Sequence, residues 1–279
     1  VQRIIDSHMH FWHPNQLGYS WLAGEPLINR PYLPSDIPQS SEWIIEGVVF
    51  VEADVNPGEG LREPEWVASL ARDDQRIQGI VAFAPLEQGN AARAHLDQLK
   101  DIPLVKSVRR LIQAEPLGFS TQPAFIAGVN LLREYDFRFD ICVYHPQLPD
   151  VIELVSQCPD ITFVLDHVGK PSIKAGLLDP WRDHIKTLAQ FPNVHCKISG
   201  MVTEADHQNW TPEQLQPYID HVIDSFGIER VMYGGDWPVA LLASSYERWV
   251  ETVMKAVQSL NEDERNQFFY ENARTFYRL

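Results

Sequence analysis

Short runs rich in β-branched residues recur eight times along the chain, with helix-like segments between most of them. The runs are Ile4-Ile5, Gly47–Val51, Gly79–Phe83, Val105–Arg109, Phe139–Tyr144, Thr162–Leu165, Val194–Ile198 and Arg230–Tyr233. Several are continuously apolar, the pattern of parallel strands covered on both faces. The helix-like segments are Glu63–Asp73, Ala91–Leu99, Gln122–Tyr135, Leu148–Cys158, Pro180–Gln190 and Pro212–Phe226, followed by Ser245–Ser259 and Asn261–Phe276. Thr211-Pro212-Glu213-Gln214 and Asn261-Glu262-Asp263-Glu264 read as helix starts with a capping residue and early acids. Strand and helix alternating at roughly 30 residues per unit predict an α/β fold, a single (β/α)8 TIM barrel over residues 1–279. An open doubly wound sheet is the alternative. It asks for a glycine-rich phosphate loop after the first strand, and Ser7-His8-Met9-His10 stands there instead.

The segment from Phe11 to Gln39 departs from this rhythm. It carries five prolines together with Trp12, Tyr19, Trp21 and Tyr32. A long loop this rich in aromatics is functional rather than disordered in character, and after strand one it is expected to wall or cover the barrel mouth.

A formal charge of −15, from 38 acidic against 23 basic residues, opposes contact with a phosphate backbone, so no nucleic-acid partner is expected. No apolar stretch approaches the roughly 20 residues needed to span a bilayer, so no membrane partner is expected either. Cys142, Cys158 and Cys196 are an odd number without paired spacing, which argues against a disulfide framework or a zinc knuckle. With no secretory pattern at the start, the reading is a cytoplasmic protein. The sequence is silent on oligomeric state.

Barrel chemistry sits at the C-terminal strand ends, which narrows the candidates. His8 and His10, at i and i+2 on an extended chain, face the same way and can grip a divalent cation or polarise a carbonyl. Strand two ends in Glu52 and Asp54, strand four in Arg109, Arg110 and Gln113, and strand five in His145. Strand six supplies Asp166 and His167, strand seven Lys197 and Ser199, and strand eight Asp236. Asp236, in Gly234-Gly235-Asp236-Trp237-Pro238, is either a turn residue or a carboxylate that binds metal or activates water. His167 is either a satisfied core residue or a group that orients or protonates substrate. His145 can complete a metal site. The planar fork of Arg109 suits a substrate oxygen or carboxylate, and Arg110 and Gln113 are candidates of the same kind. Lys197 interrupts a strand and can equally be a paired group in the barrel wall.

Ile5-Asp6-Ser7-His8-Met9-His10, Val108-Arg109-Arg110, Asp166-His167-Val168-Gly169-Lys170-Pro171 and Gly235-Asp236-Trp237-Pro238, in that order, resemble the amidohydrolase superfamily. Within it the chain is similar to the amidohydrolase-2 branch, which contains sugar-lactone hydrolases such as fuconolactonases and rhamnonolactonases. The resemblance implies a carboxylic-ester hydrolase acting on a small-molecule lactone, a fucono-, galactono- or rhamnono-lactone among the candidates. It implies that Asp236 is the base that activates water, with His8, His10 and His167 as its partners. Glu52, Arg109, Arg110, Gln113, His145 and the aromatic loop from Trp12 would contact substrate. His8, His10, His145 and Asp236 are the implied metal ligands. Two-metal members carry a bridging ligand at strand four, where this chain has Ser107-Val108-Arg109-Arg110. One divalent ion, zinc foremost, or a metal-independent site is therefore the expectation. A single-metal decarboxylase of an aromatic or dienoic acid is the second reading, and a non-catalytic barrel that binds a sugar acid is the third.

Overall fold

The computed structural model describes residues 1–279. Eight strands form one sheet in sequence order: β1 (Gln2–Met9), β2 (Trp43–Val51), β3 (Ile77–Phe83), β4 (Val105–Arg109), β5 (Arg138–Ile141), β6 (Phe163–Leu165), β7 (Val194–Ile198) and β8 (Val231–Tyr233). Each sequential pair is parallel. The ring closes beyond β8, where Met9 pairs in parallel with Trp237. There the His10 N–H donates to the Trp237 carbonyl at 2.7 Å, and the Asp236 N–H to the His8 carbonyl at 2.7 Å. This is the expected (β/α)8 barrel.

The helices are α1 (Arg62–Leu70), α2 (Arg93–Lys100), α3 (Pro123–Tyr135), α4 (Leu148–Gln157), α5 (Trp181–Leu188), α6 (Pro212–Phe226), α7 (Tyr246–Ala256), α8 (Glu262–Asn266) and α9 (Asn272–Tyr277). At the start of α8 the capping is reciprocal. Asn261 Oδ1 accepts from the Glu264 N–H at 3.0 Å, and Glu264 Oε2 accepts from the Asn261 N–H at 2.9 Å. The last helix is not continuous as expected, since a π turn at Gln267–Glu271 separates α8 from α9. The fifth strand is shorter than its apolar run suggests. It ends at Ile141, although the Cys142 carbonyl still accepts from the Ile112 and Gln113 N–H groups at 3.1 Å.

Side chains of the barrel interior fall in two layers. Ile5, Val49, Val51, Val81, Val164 and Met232 form a dry layer with Phe276 and Tyr277 of α9. Around it, Ser107, Asp140, Asp166 and Lys197 are all fully buried. Tyr277 links the two, its hydroxyl donating to Asp140 Oδ2 at 2.7 Å. A larger apolar cluster joins strands and helices and continues into the β1–β2 segment through Phe11, Trp12, Tyr19 and Tyr32.

Between β1 and β2, residues 10–42 hold only two short 3-10 turns, Ser20–Gly24 and Pro34–Asp36. Trp12 and Tyr32 bridge this segment through mutual backbone hydrogen bonds of 3.1 and 2.9 Å. The Trp12 indole donates to the Arg30 carbonyl at 2.9 Å, and that of Trp21 to the Ala53 carbonyl at 2.8 Å. Trp12 packs edge-on against both Trp21 and Tyr32. No helix in the chain is long and apolar enough to cross a membrane.

Candidate active site

His8 lies within β1 and His10 just past its end. Asp6 on the same strand holds the closing turn in place. Its Oδ1 accepts from the backbone N–H groups of His8 (2.9 Å) and Gly235 (2.8 Å), and its Oδ2 from the Tyr246 hydroxyl (2.8 Å). A β-carbon on Gly235 would collide with the Asp6 carboxylate, so only glycine lets this turn approach. Burial pushes the Asp6 carboxyl up to about 6, against the hydrogen bonds it accepts.

The turn delivers Asp236, at φ +52°, into a cluster of three histidines. Asp236 Oδ1 stands 3.3 Å from His10 Nε2, 3.8 Å from His8 Nε2 and 4.0 Å from His167 Nε2. All four residues are buried. The His10 Nδ1–H donates to the Val51 carbonyl at 2.8 Å, which leaves the Nε2 lone pair facing the carboxylate. Two electron-rich atoms at that separation are a place for a shared proton or a cation. Burial holds the His8 and His167 imidazoles well below the ordinary histidine range, so both rings are neutral and have a lone pair to offer. Burial works to raise the Asp236 carboxyl, but His167, in the protonated form it adopts only in acid, and the Lys170 ammonium outweigh burial and hold it below the ordinary carboxylate range.

His8, His10 and Asp236 offer ligand atoms within 4.8 Å of one another, and His8, Asp166 and His167 do the same. Two imidazole nitrogens and a carboxylate oxygen, with one side open to a cavity, fit a catalytic divalent ion. The groups behind them are also set. His167 Nδ1 lies 2.9 Å from the Ser199 hydroxyl, and His8 Nδ1 lies 3.3 Å from Asp166 Oδ1.

The other candidates divide. Arg109 lines the cavity, but its guanidinium is engaged inward by Glu52 Oε1 (2.7 Å), the Glu52 carbonyl (2.5 Å) and Asp166 Oδ2 (3.2 Å). Glu52 is thereby spent on Arg109 and on the Asp54 N–H. Arg110 turns to the opposite face of the chain and pairs with Glu87 (3.1 Å) and Glu115 (2.6 Å), away from the cavity. Gln113 and Trp12 line the cavity. His145 sits half-buried in the turn after β5, and the structure does not bring it to Asp236. Lys197 is a wall residue, held by Asp140 (2.6 Å) and Asp166 (3.0 Å), with its ammonium 3.2 Å from His8 Nδ1.

The cavity above Asp236 has a volume of about 220 Å³. Trp12 and Trp21 wall one part of it, and Gln113, Lys170 and Thr203 supply polar atoms. Lys170 was not singled out from the sequence. It reaches the cavity because His167, Val168, Gly169 and Lys170 all have positive φ, between 46° and 73°. A β-branched residue such as Val168 rarely adopts that conformation, and only Gly169 hints at it in the sequence.

The chain is similar to known proteins over most of its length. Residues 5–279 match the family model described as amidohydrolase. An L-fucono-1,5-lactonase of Burkholderia multivorans is 32% identical, over 91% of this chain and 90% of its own length. An L-rhamnono-gamma-lactonase of Scheffersomyces stipitis is 24% identical, with 99% of both chains covered. The crystal structure of an amidohydrolase from Burkholderia multivorans with bound zinc superposes with a TM-score of 0.88 at 30% identity, covering 99% of each chain. With the match running from β1 to the last residue, the chain belongs to the amidohydrolase family.

Proposed function

We propose that this protein is a lactonase that opens the ring of a sugar-acid lactone with water activated by Asp236. The observation that carries the reading is the Asp236 carboxyl group, buried against three imidazoles at the floor of a cavity sized for a small molecule. The names of the relatives from Burkholderia multivorans and Scheffersomyces stipitis support the same substrate class.

His8, His10 and Asp236 would hold a divalent ion, zinc foremost, which when bound polarises a carbonyl and acidifies water. The chain's own groups do the rest. An Asp236 oxygen accepts a proton from water as the water oxygen attacks the lactone carbonyl carbon. Positive charge on Arg109 at the cavity wall favours the negative charge that develops on the carbonyl oxygen. The bond from that carbon to the ring oxygen then breaks, and the ring oxygen leaves with the electron pair. Asp236 returns its proton to that oxygen, directly or through the neutral His167. Trp12 and Trp21 shield this region from bulk water. The decarboxylase reading needs His145 beside Asp236, and its place in the turn after β5 weighs against it.

The test is acid release from a panel of sugar lactones, with Asp236→Asn as the control. Turnover by the wild type and a loss of at least about 1,000-fold in the variant support the reading. Acid release from no lactone overturns it, and equal rates in the variant overturn the role of Asp236.

A further inference from the structure

Lys170 has donors to spare. Its ammonium donates to Gln113 Oε1 at 2.6 Å and faces the Tyr144 ring at 5.2 Å. Glu204 Oε1 lies 3.8 Å away, which is an ion pair but too long for a hydrogen bond. An ammonium carries three N–H donors, so at least one remains unspent. The Glu204 carboxylate is flanked by no other donor at hydrogen-bond distance. It follows Thr203, which lines the cavity together with Lys170 and Gln113. Gln113 Oε1 is filled by Lys170 and the Cys142 thiol, while its amide N–H groups have no partner in the protein. Lys170 and Glu204 retain side-chain exposures of only 13% and 17%; Lys170 lines the cavity, and Glu204 adjoins it through Lys170 and the lining residue Thr203.

A neighbouring donor and acceptor that do not bond to each other ask for a group that does both. A hydroxyl oxygen between them accepts from Nζ and donates to Oε1. A second hydroxyl on the adjacent carbon accepts from the Gln113 amide. Neither a methyl group nor an aromatic C–H can satisfy that pair. Elsewhere in the cavity Trp12 and Trp21 present aromatic surface, which suits the C–H face of a saturated ring. Holding the corner in place requires the left-handed run from His167 to Lys170, anchored where the Trp181 indole donates to the Val168 carbonyl at 2.7 Å. Strain of this kind persists only where surrounding contacts over-determine it, and here it aims two side chains into one cavity.

We propose that Lys170, Glu204 and Gln113 form a diol-binding subsite, and that Lys170 is the residue by which this site selects a polyhydroxylated ring over an unsubstituted one. The inference rests on the lactonase reading and narrows its substrate class by a preference between lactones, a ratio in which any effect of Lys170 on Asp236 cancels.

The experiment compares kcat/KM for a panel of hexono- and 6-deoxyhexono-lactones with that for δ-valerolactone, in the wild type, Lys170→Met and Glu204→Gln. The wild type is expected to favour at least one hydroxylated lactone by about 100-fold or more, since a site built to bond hydroxyls rejects analogues lacking them. The preference is expected to fall at least about tenfold in each variant, chiefly through KM. If both variants slow the two lactone types in equal proportion, or the wild type shows no preference, the subsite is overturned. Should Lys170→Met not fold, Glu204→Gln alone decides. Should the wild type open no lactone, the lactonase reading fails and binding decides this one. Calorimetric titration then compares a hexose and a 6-deoxyhexose with tetrahydropyran. A sugar bound at least about tenfold more weakly by the variants supports the subsite, and no preference over tetrahydropyran overturns it.

Discussion

The His167 imidazole lies against the α-carbon of Gly200, so that a β-carbon at residue 200 would overlap the ring. Gly200 also sits at φ +57°, which side chains disfavour. Gly200→Ala therefore displaces the His167 ring from its place beside Asp236 while removing no ionisable group. Displacing a site group by about 1 Å is expected to cost on the order of 100-fold in kcat/KM. The backbone strain adds about 1 kcal/mol of destabilisation. Steady-state kinetics and thermal unfolding check the two parts separately, and an active variant would remove His167 from the mechanism.

How much of this was readable beforehand follows from geometry. Strand ends are legible because apolar runs stop there, so His8, His10, His167 and Asp236 could be named before the structure brought them together. The fate of Arg110 was also within reach. Consecutive residues leaving a strand face opposite ways, so Arg109 and Arg110 cannot both enter one cavity. His145 was not decidable, because the direction of a turn after a strand depends on tertiary packing. Lys170 was hidden for a different reason. Its approach depends on a left-handed run through Val168 that no residue preference announces. Glu52 reads as a rim acid, but its carboxylate is consumed by Arg109, a partner 57 residues away.

Metal content gives a second prediction. His8, His10 and Asp236 form one ligand group; the second, His8, Asp166 and His167, shares His8 with it, and its Asp166 is already held by Arg109 and Lys197. Protein equilibrated with zinc and dialysed is expected to retain one ion per chain by elemental analysis. His10→Ala is expected to retain none. At free zinc about 100-fold above Kd, binding adds about 2.7 kcal/mol to unfolding free energy, a shift absent in the variant. Two ions per chain in the wild type would contradict this ligand assignment.

Lys197 is completely buried between Asp140 and Asp166, and its ammonium touches His8. Lys197→Met keeps the unbranched side chain, one atom shorter, and removes the charge. Asp140 then loses its cationic partner while Asp166 keeps only Arg109, which is expected to cost about 3–5 kcal/mol of stability. Denaturant unfolding measures it. The double variant Lys197→Met, Asp140→Asn is expected to recover part of that loss, because one of the stranded charges is gone. No recovery would mean that packing, rather than charge, is what Lys197 supplies.

Glu63, near the start of α1, couples the β1–β2 segment to the barrel and sets a pH dependence. Its Oε1 accepts from the Tyr19 hydroxyl at 3.1 Å and the Ala53 N–H at 3.2 Å, while Oε2 is buried without a partner. Burial first, and then the charge of Glu52, push its carboxyl up to about 8. A carboxyl raised in the folded state binds its proton more tightly there than in the unfolded chain. Its contribution is thus fully present below the ordinary value of 4.5 and is lost as pH rises toward 8. Between pH 6 and 8 the loss is about 2–3 kcal/mol at 1.36 kcal/mol per unit. Glu63→Gln keeps a neutral group of the same shape, so its stability lacks this component of the decline. The difference between wild type and variant isolates Glu63 from Asp6 and the histidines, which are common to both. Urea unfolding at pH 6, 7 and 8 is the measurement. A difference that stays constant over that range would show that Glu63 is ionised in the folded protein, with Tyr19 stabilising a carboxylate rather than a carboxylic acid.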